Sequence, residues 1–510
     1  MKNVKENMRW LWQNTEKVLI ITFFLTFTFN IRKVFLTPYS FLNGGFNEYM
    51  TMSFSWADAL MLTTIAVYTT KSILRQVINP YYASLGHGKA FKIVSRETIY
   101  LLIFLGWIGL SIFWSQYRPI AVYRFFTLIE IVLFAILAIK SLDNIKWLKM
   151  AFFAIIANGL FQSLVGIAQF IHNGSLGLRV FGESIIGSNI DGVAKILING
   201  EKHIRAYGTF PHPNILAGFL LIPLFLIIGE FIQRKFLLTS FRPFPCQYEP
   251  HPNPLLIKER ESVNLPPLNK GRVGVGCKNV SHETFLEFIP GWALFAILFI
   301  TGLGFFLAFS RSAFLGLFVG LVVFFVGIAF MRPLHRILKD NFKLFASSII
   351  ALIFIITLLS TNTSFFSNQS LQERNLYQNV SYETILKHPP AGVGIGQFVI
   401  SEYQNHPNLE NWQYQPVHNI YLLAFSELGI VGLIFFLLWI FSALRWGSGK
   451  NRNTGLLLTR LSFYCIILSF LFIAFFDHYF WDIKLGTIIF TLPLIVICAT
   501  VKKQELDKKI

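Results

Sequence analysis

The chain has 510 residues, of which 54% are hydrophobic and only 14% charged, with 55 phenylalanines. A soluble domain carries about 25% charged residues, so this balance excludes a large soluble enzyme, and the hydrophobicity excludes intrinsic disorder. What remains is an all-α integral membrane protein, yet its formal charge is +18, from 44 Lys and Arg against 26 Asp and Glu. An excess of that size fits nucleic acid, anionic lipid or membrane topology, and the positions of the charges decide among them.

In chain order, about twelve stretches approach the ~20 apolar residues that a helix needs to cross hydrocarbon. They are predicted at 17–36, 54–71, 98–115, 119–140, 147–171, 211–233, 289–309, 312–331, 344–361, 419–443, 457–476 and 483–501. The first is preceded by Lys2, Lys5, Arg9 and Lys17. It shows no cleavage pattern and reads as an uncleaved span with its N-terminus inside. Twelve spans then return the C-terminus to the same side. On that topology Lys and Arg number 4 in 1–17, 5 in 71–97, 3 in 140–149, 8 in 234–288, and 4 each in 332–343, 444–460 and 502–510. These inside segments hold 32 of the 44. Basic residues favour the cytoplasmic ends of membrane helices, so topology accounts for most of the positive balance. With no motif to support it, a nucleic-acid partner is set aside.

The chain reads as one polytopic membrane domain, 1–510. Outer loops are expected at 172–210 and, larger, at 361–418 between spans nine and ten. Within the second, Leu371 to Leu386 is predicted as a short amphipathic helix ended by His388-Pro389-Pro390, since proline lacks an N–H and restricts the residue before it. The inner segment 234–288 is rich in Pro, Gly and charge and reads as a disordered insertion. Its Gly274-Val275-Gly276-Cys277-Lys278 lacks the preceding strand and following helix that a phosphate loop requires. Cys246, Cys277, Cys465 and Cys498 have neither Cys-x-x-Cys nor zinc spacing.

An ionisable side chain at membrane depth costs about 2.5–3.5 kcal/mol on insertion scales, so each that persists asks for a reason. Four clusters gather at outer helix ends. Arg205-Ala206-Tyr207-Gly208-Thr209-Phe210-Pro211-His212-Pro213-Asn214 leads into the sixth span, with Pro213 near the helix start and Thr209 or Asn214 as its cap. Ser310-Arg311 separates the tandem spans seven and eight, which places a guanidinium, a planar fork of donors suited to phosphate oxygens, near the outer plane. Gly392-Val393-Gly394-Ile395-Gly396 reads as a tight turn. His418 opens the tenth span at a helix N-terminus, a position that disfavours an imidazolium and leaves a neutral ring able to accept a proton. Two arginines and a histidine at one face suit an anionic, phosphate-bearing lipid and a hydroxyl nucleophile. No Ser-His-Asp arrangement and no acidic cluster with metal spacing is present, so neither a metal nor a cofactor is expected.

The order of these pieces resembles the O-antigen ligase/polymerase superfamily over roughly residues 100–480. The elements are Ser111-x-x-Trp114-Ser115, Arg205 with Gly208-Thr209-Phe210 and Asn214, Ser310-Arg311, Gly392-x-Gly394-x-Gly396-x-Phe398, and His418-Asn419-x-Tyr421 with Glu427-x-Gly429. The resemblance implies a glycosyltransferase in a bacterial inner membrane, with both termini cytoplasmic and the active site periplasmic. It implies a donor glycan on undecaprenyl diphosphate and an acceptor that is a glycan or lipid A-core. Arg205 and Arg311 are then expected to hold the diphosphate and His418 to activate the acceptor hydroxyl in an inverting, metal-independent displacement. Tyr207 and Asn419 are expected as additional substrate-binding residues. A repeat-unit polymerase needs the same residues, and protein glycosylation is a further acceptor class. A transporter of polyprenyl-linked sugars is disfavoured because the sequence shows no internal repeat.

Overall fold

The computed structural model describes residues 2–78, 96–240, 286, 288–330, 368–447 and 454–507. Its helices, numbered here in chain order among the described residues, are α1 (Lys2–Thr26), α2 (Trp56–Ile78), α3 (Arg96–Ser111), α4 (Arg118–Ser141), α5 (Ile145–His172), α6 (Pro213–Ser240) and α7 (Gly291–Leu307). They continue as α8 (Arg311–Phe330), α9 (Asn368–Lys387), α10 (Phe398–Asn405), α11 (Ile420–Gly447), α12 (Thr454–Ile473), α13 (Tyr479–Asp482) and α14 (Lys484–Asp507). The architecture is mainly helical, and α4, α5, α6, α8 and α11 contain stretches long and apolar enough to cross a membrane. Helices stand at eleven of the twelve expected positions. The stretch 344–361 and all but the ends of the 234–288 insertion lie outside the described residues.

The first helix differs from expectation at both ends. It starts at Lys2 and stops at Thr26, whereas the apolar run placed it at 17–36. Past Thr26 the polar Asn30, Arg32 and Lys33 leave the helix, and Arg32–Phe35 forms β1, paired antiparallel with β4 (Met52–Ser55) in the register Arg32↔Ser55. Two further hairpins are β2 (Phe41–Leu42) with β3 (Gly45–Phe46), in the same α1–α2 connection, and β5 (Lys195–Ile198) with β6 (Glu201–Ile204), in the α5–α6 connection. Other boundaries follow local chemistry. Pro119 sits in the first turn of α4, where its missing N–H removes no bond. Asn144 caps α5 by accepting from the Trp147 N–H at 3.2 Å.

The centre of the bundle is α6. Its residues 215–222 are buried on every face, as expected of a helix that is apolar all round. It packs against α5, α7, α8 and α12, while α11 packs on α3 and α14 on α4. Several buried charges in the bundle have a partner, which lowers the cost of their burial. Asp58 meets Lys484 at 2.8 Å, Glu230 meets Arg234 at 2.9 Å, Lys71 meets Glu16, and Glu427 accepts from the Trp481 indole N–H at 2.9 Å.

Helix α11 is broken at Gly429, whose φ of 67° and ψ of −175° are not helical. The break strands carbonyls that helix continuation would have satisfied, and such groups are costly away from water. The Gly392–Gly396 turn satisfies them. Val393 N–H donates to the Ser426 carbonyl at 3.0 Å and Gly394 N–H to the Glu427 carbonyl at 2.7 Å. Trp107 Nε1–H donates to the Leu428 carbonyl at 2.9 Å. Gly394 has φ 102°, and a Cβ there lies 2.1 Å from Ser115 Oγ, so both backbone conformation and space demand glycine. Ser111 Oγ accepts from the Ile395 N–H at 3.2 Å, which ties the turn to the end of α3. The three-glycine motif is therefore a backbone clasp on a kinked helix.

Candidate functional site

The end of the bundle that carries this clasp also gathers the cations. Arg205 precedes α6 and is half-buried. Its Nε–H donates to the Ala308 carbonyl at 2.8 Å, and its terminal NH2 donates to Asn214 Oδ1 at 2.7 Å. The Ala206 N–H donates to the Leu307 carbonyl at 2.9 Å. These bonds fix the approach to α6 against the α7–α8 connection, where Arg311 opens α8 after a single left-handed Phe309 at φ 45°. Burial presses the Arg205 guanidinium down to about 10, the neighbouring Arg311 pushing the same way against Tyr207 and Asp477. Arg205 thus stays cationic at neutral pH, and two positive charges share one region with no carboxylate bonded to Arg205 among the described residues.

A third arginine joins them. Arg374 lies in α9, the helix predicted within the large loop, and its charge acts on Arg311, His418, Asp477 and His478. Sequence reasoning passed over Arg374 because it sits in a polar helix among Gln, Glu and Asn, where an arginine ordinarily faces solvent.

His418 precedes α11. Neither it nor any apolar group caps the helix. Asn419 does so, its Oδ1 accepting from the Tyr421 and Leu422 N–H groups at 2.9 and 3.1 Å. The His418 ring stacks on Tyr377 of α9, with centroids 5.6 Å apart and planes 18° from parallel. It meets His478 edge to face at 4.8 Å and 88°. Its Nδ1 is buried without a hydrogen-bond partner among the described residues. Burial holds His418 well below the ordinary histidine range, and the positive charges of His478 and Arg374 add to it. The ring is therefore neutral near pH 7, the state a proton acceptor needs.

His478 has the opposite setting. It lies in the α12–α13 junction, and its Nδ1 faces both oxygens of Asp482 at 2.9 Å. Burial acts to lower it, but Asp482 and Asp477 outweigh burial and raise it above the ordinary value. Asp477 in turn accepts from Asn214 Nδ2 at 2.7 Å, so a continuous path of contacts runs from Arg205 through Asn214 and Asp477 to His478 and His418. The readable signal for this unit was the spacing His478-x-x-x-Asp482, one helical turn, inside the aromatic run Phe475-Phe476-Asp477-His478-Tyr479-Phe480-Trp481.

Other expected residues serve the framework. Tyr207 is buried and its hydroxyl accepts from the Ala194 N–H at 2.6 Å. Thr209 does not cap α6; its hydroxyl donates to the Thr28 carbonyl at 2.8 Å, and its N–H donates to Gln162 Oε1 at 2.8 Å. Asn214 does not cap α6 either, since its side chain joins Arg205 to Asp477. His212 stands in that place, its Nδ1 accepting from the Asn214 N–H at 3.2 Å. Burial, with Arg205 and His478, drives His212 down to about 3 and keeps it neutral. The structure thus brings Arg205, Arg311 and His418 to one end of the bundle and adds Arg374, Asp477, His478 and Asp482.

No curated protein matches the chain in a sequence comparison. A family comparison does find a match: residues 296–437 fit the model described as O-antigen ligase. The matched stretch runs from α7 into α11 and contains Arg311, Arg374, the glycine clasp and His418, while Arg205 and the Asp477–Asp482 unit lie outside it. The stretch that carries the clasp and the neutral histidine is thus similar to the O-antigen ligase family.

Proposed function

We propose that the protein is an O-antigen ligase-like glycosyltransferase that moves a glycan from undecaprenyl diphosphate to an acceptor hydroxyl at the outer face of the inner membrane. The family match supports a glycosyltransferase-type enzyme. The observation that carries the finer reading is the pairing of a three-arginine region with a neutral histidine along one path of contacts. Arg205, Arg311 and Arg374 suit a diphosphate, whose oxygens match the guanidinium fork. They stabilise the negative charge that grows on the leaving group. His418 takes the acceptor hydroxyl proton as the acceptor oxygen bonds to the anomeric carbon. The bond from that carbon to the phosphate oxygen breaks on the opposite side, and undecaprenyl diphosphate departs with the bonding electrons. Configuration inverts, and the proton on His418 passes to solvent. Diphosphate is a good leaving group, so the paired carboxylates of glycoside hydrolysis are not needed, and the arginines supply the positive charge that a metal supplies elsewhere.

The reading is tested by transfer from a defined undecaprenyl-diphosphate oligosaccharide by the purified full-length enzyme. Arg311→Ala is expected to lower kcat about 100-fold or more, the scale of losing one preorganised charge partner. EDTA is expected to leave the rate unchanged. Full activity of Arg311→Ala would remove the diphosphate assignment, and EDTA inhibition reversed by a divalent ion would remove the metal-free route. A repeat-unit polymerase uses the same residues and differs only in its acceptor.

A further inference from the structure

A cavity of about 340 Å³ opens beside the site and follows the bundle axis between α3, α4, α11 and α14. Its walls are apolar almost throughout. Leu101 and Phe104 come from α3, Leu128 and Ala135 from α4, Trp439 from α11 and Leu494 from α14. From Lys484 to Cys498, both on its wall, α14 advances ~21 Å at 1.5 Å per residue, a large part of the ~30 Å hydrocarbon thickness. A slot of this length, shape and polarity, lying among helices suited to a membrane, fits an extended hydrocarbon chain and not a sugar.

The slot has a polar mouth at the site end. Arg124 lines it together with Tyr49, Gly396, Pro416 and Asp482. The Arg124 guanidinium bonds backbone carbonyls, those of Asp482 and Tyr49, and its Nε–H is buried without a partner among the described residues. Lys484 stands on the same wall, paired with Asp58. The mouth thus combines an apolar throat with a guanidinium that retains an unused donor, which complements an anionic head attached to a long chain.

Position assigns the occupant. Asp482 lines the mouth and holds His478, and the His478 ring abuts His418. Arg205 is reached from His478 on its other side, through Asp477 and Asn214. Neither Arg205 nor Arg311 lines the slot. In an inverting displacement the acceptor oxygen arrives opposite the leaving diphosphate, so a group that approaches the base from the side away from the arginines is on the acceptor's side. Resting on the function proposed above, we infer that the slot between α3, α4, α11 and α14 takes the hydrocarbon chain of a lipid-borne acceptor, with its anionic head at Arg124 and its acceptor hydroxyl at His418.

The test uses the full-length protein in lipid nanodiscs with tryptophans placed on opposite walls, Ala135→Trp and Ala443→Trp. Two lipid-borne acceptors are compared, lipid A-core with acyl chains and an undecaprenyl-diphosphate repeat unit with a polyprenyl chain. The delipidated glycan of each is assayed in parallel. Both variants are expected to raise KM for one lipid-borne acceptor about tenfold or more, the scale of filling an apolar pocket. The donor KM and transfer to the delipidated glycan should not change, and the acceptor affected names the chain. A rise in donor KM alone would assign the slot to the donor carrier and overturn the inference, as would no change in either. Native mass spectrometry with the same two lipids reads binding without turnover, counted above the one polyprenyl lipid that the donor arginines hold in every protein: wild type retains one further lipid and both tryptophan variants lose it. Retention by both variants, or by none of the proteins, overturns the slot. Slot-dependent retention without glycan transfer by wild type overturns the proposed function alone.

Discussion

Two histidines 4.8 Å apart occupy settings that differ in every neighbour that matters. His418 opens α11 against an aromatic ring and feels the charges of His478 and Arg374; His478 sits in the α12–α13 junction with Asp482 at 2.9 Å and Asp477 adjacent. One is driven to the neutral state and the other toward the imidazolium. The difference teaches that burial alone does not decide a histidine's charge: both are in the interior of the site, and the sign follows the nearest carboxylate. It also makes them a matched pair, because the charge held on His478 helps keep the proton off His418. The stability consequences run in opposite directions. His478, raised in the folded state, contributes stability fully below the ordinary histidine value of about 6.5, and this is lost as pH rises through its folded value. His418, lowered in the folded state, weakens the fold as pH falls below that ordinary value, because the unfolded chain then binds the proton the folded one refuses.

The sharpest way to break the pairing is His418→Ala, expected to reduce kcat about 1,000-fold, within the range of general-base removal, with the protein still inserted in the membrane. A fully active variant, assayed with purified lipid-linked donor, would strip His418 of its role. Next, Asp482→Asn removes the carboxylate that charges His478. The acid limb of kcat/KM against pH is expected to move upward, because His418 then loses its cationic neighbour; an unmoved limb would show that the two rings are not electrostatically linked. A smaller upward movement is expected for Arg374→Ala, accompanied by a higher donor KM, and a change in kcat alone would place Arg374 outside the donor site. The smallest effect is expected from deleting 240–280, which should leave steady-state transfer within about twofold of wild type, since the cost of closing a loop changes only slowly with its length. Loss of transfer by a stably inserted deletion would show that the segment contributes to the reaction.

Hydropathy made most helix positions legible, since a membrane helix declares itself by one long apolar run. It misplaced the end of α1 because Phe29, Ile31, Val34 and Phe35 continue the apolar composition while Asn30, Arg32 and Lys33 turn the backbone into a strand. Arg205, Arg311 and His418 were readable as costly residues at helix ends. Their companions were not. Arg374 looked like an ordinary surface charge on a polar helix, and Asp477, His478 and Asp482 were obscured by the aromatic run around them. Each becomes significant only when helices distant in sequence close on one another, bringing Asn214 to Asp477 across 263 positions and His418 to His478. The glycine motif was readable as a turn, but the carbonyls it serves, on Ser426 and Glu427, come from a helix whose break at Gly429 lies more than 30 residues further along.

That clasp also makes a mechanical joint. The segment containing Gly392–Gly396 is bonded to α3 at Ser111 on one side and to α11 at the Gly429 break on the other. Any displacement of the segment has two outcomes: it carries the upper part of α11 with it, or it leaves two carbonyls bare in a region without water. The first is far less costly. The clasp therefore couples the glycine segment to the first turns of α11, and the residue that immediately precedes their Asn419 cap is His418.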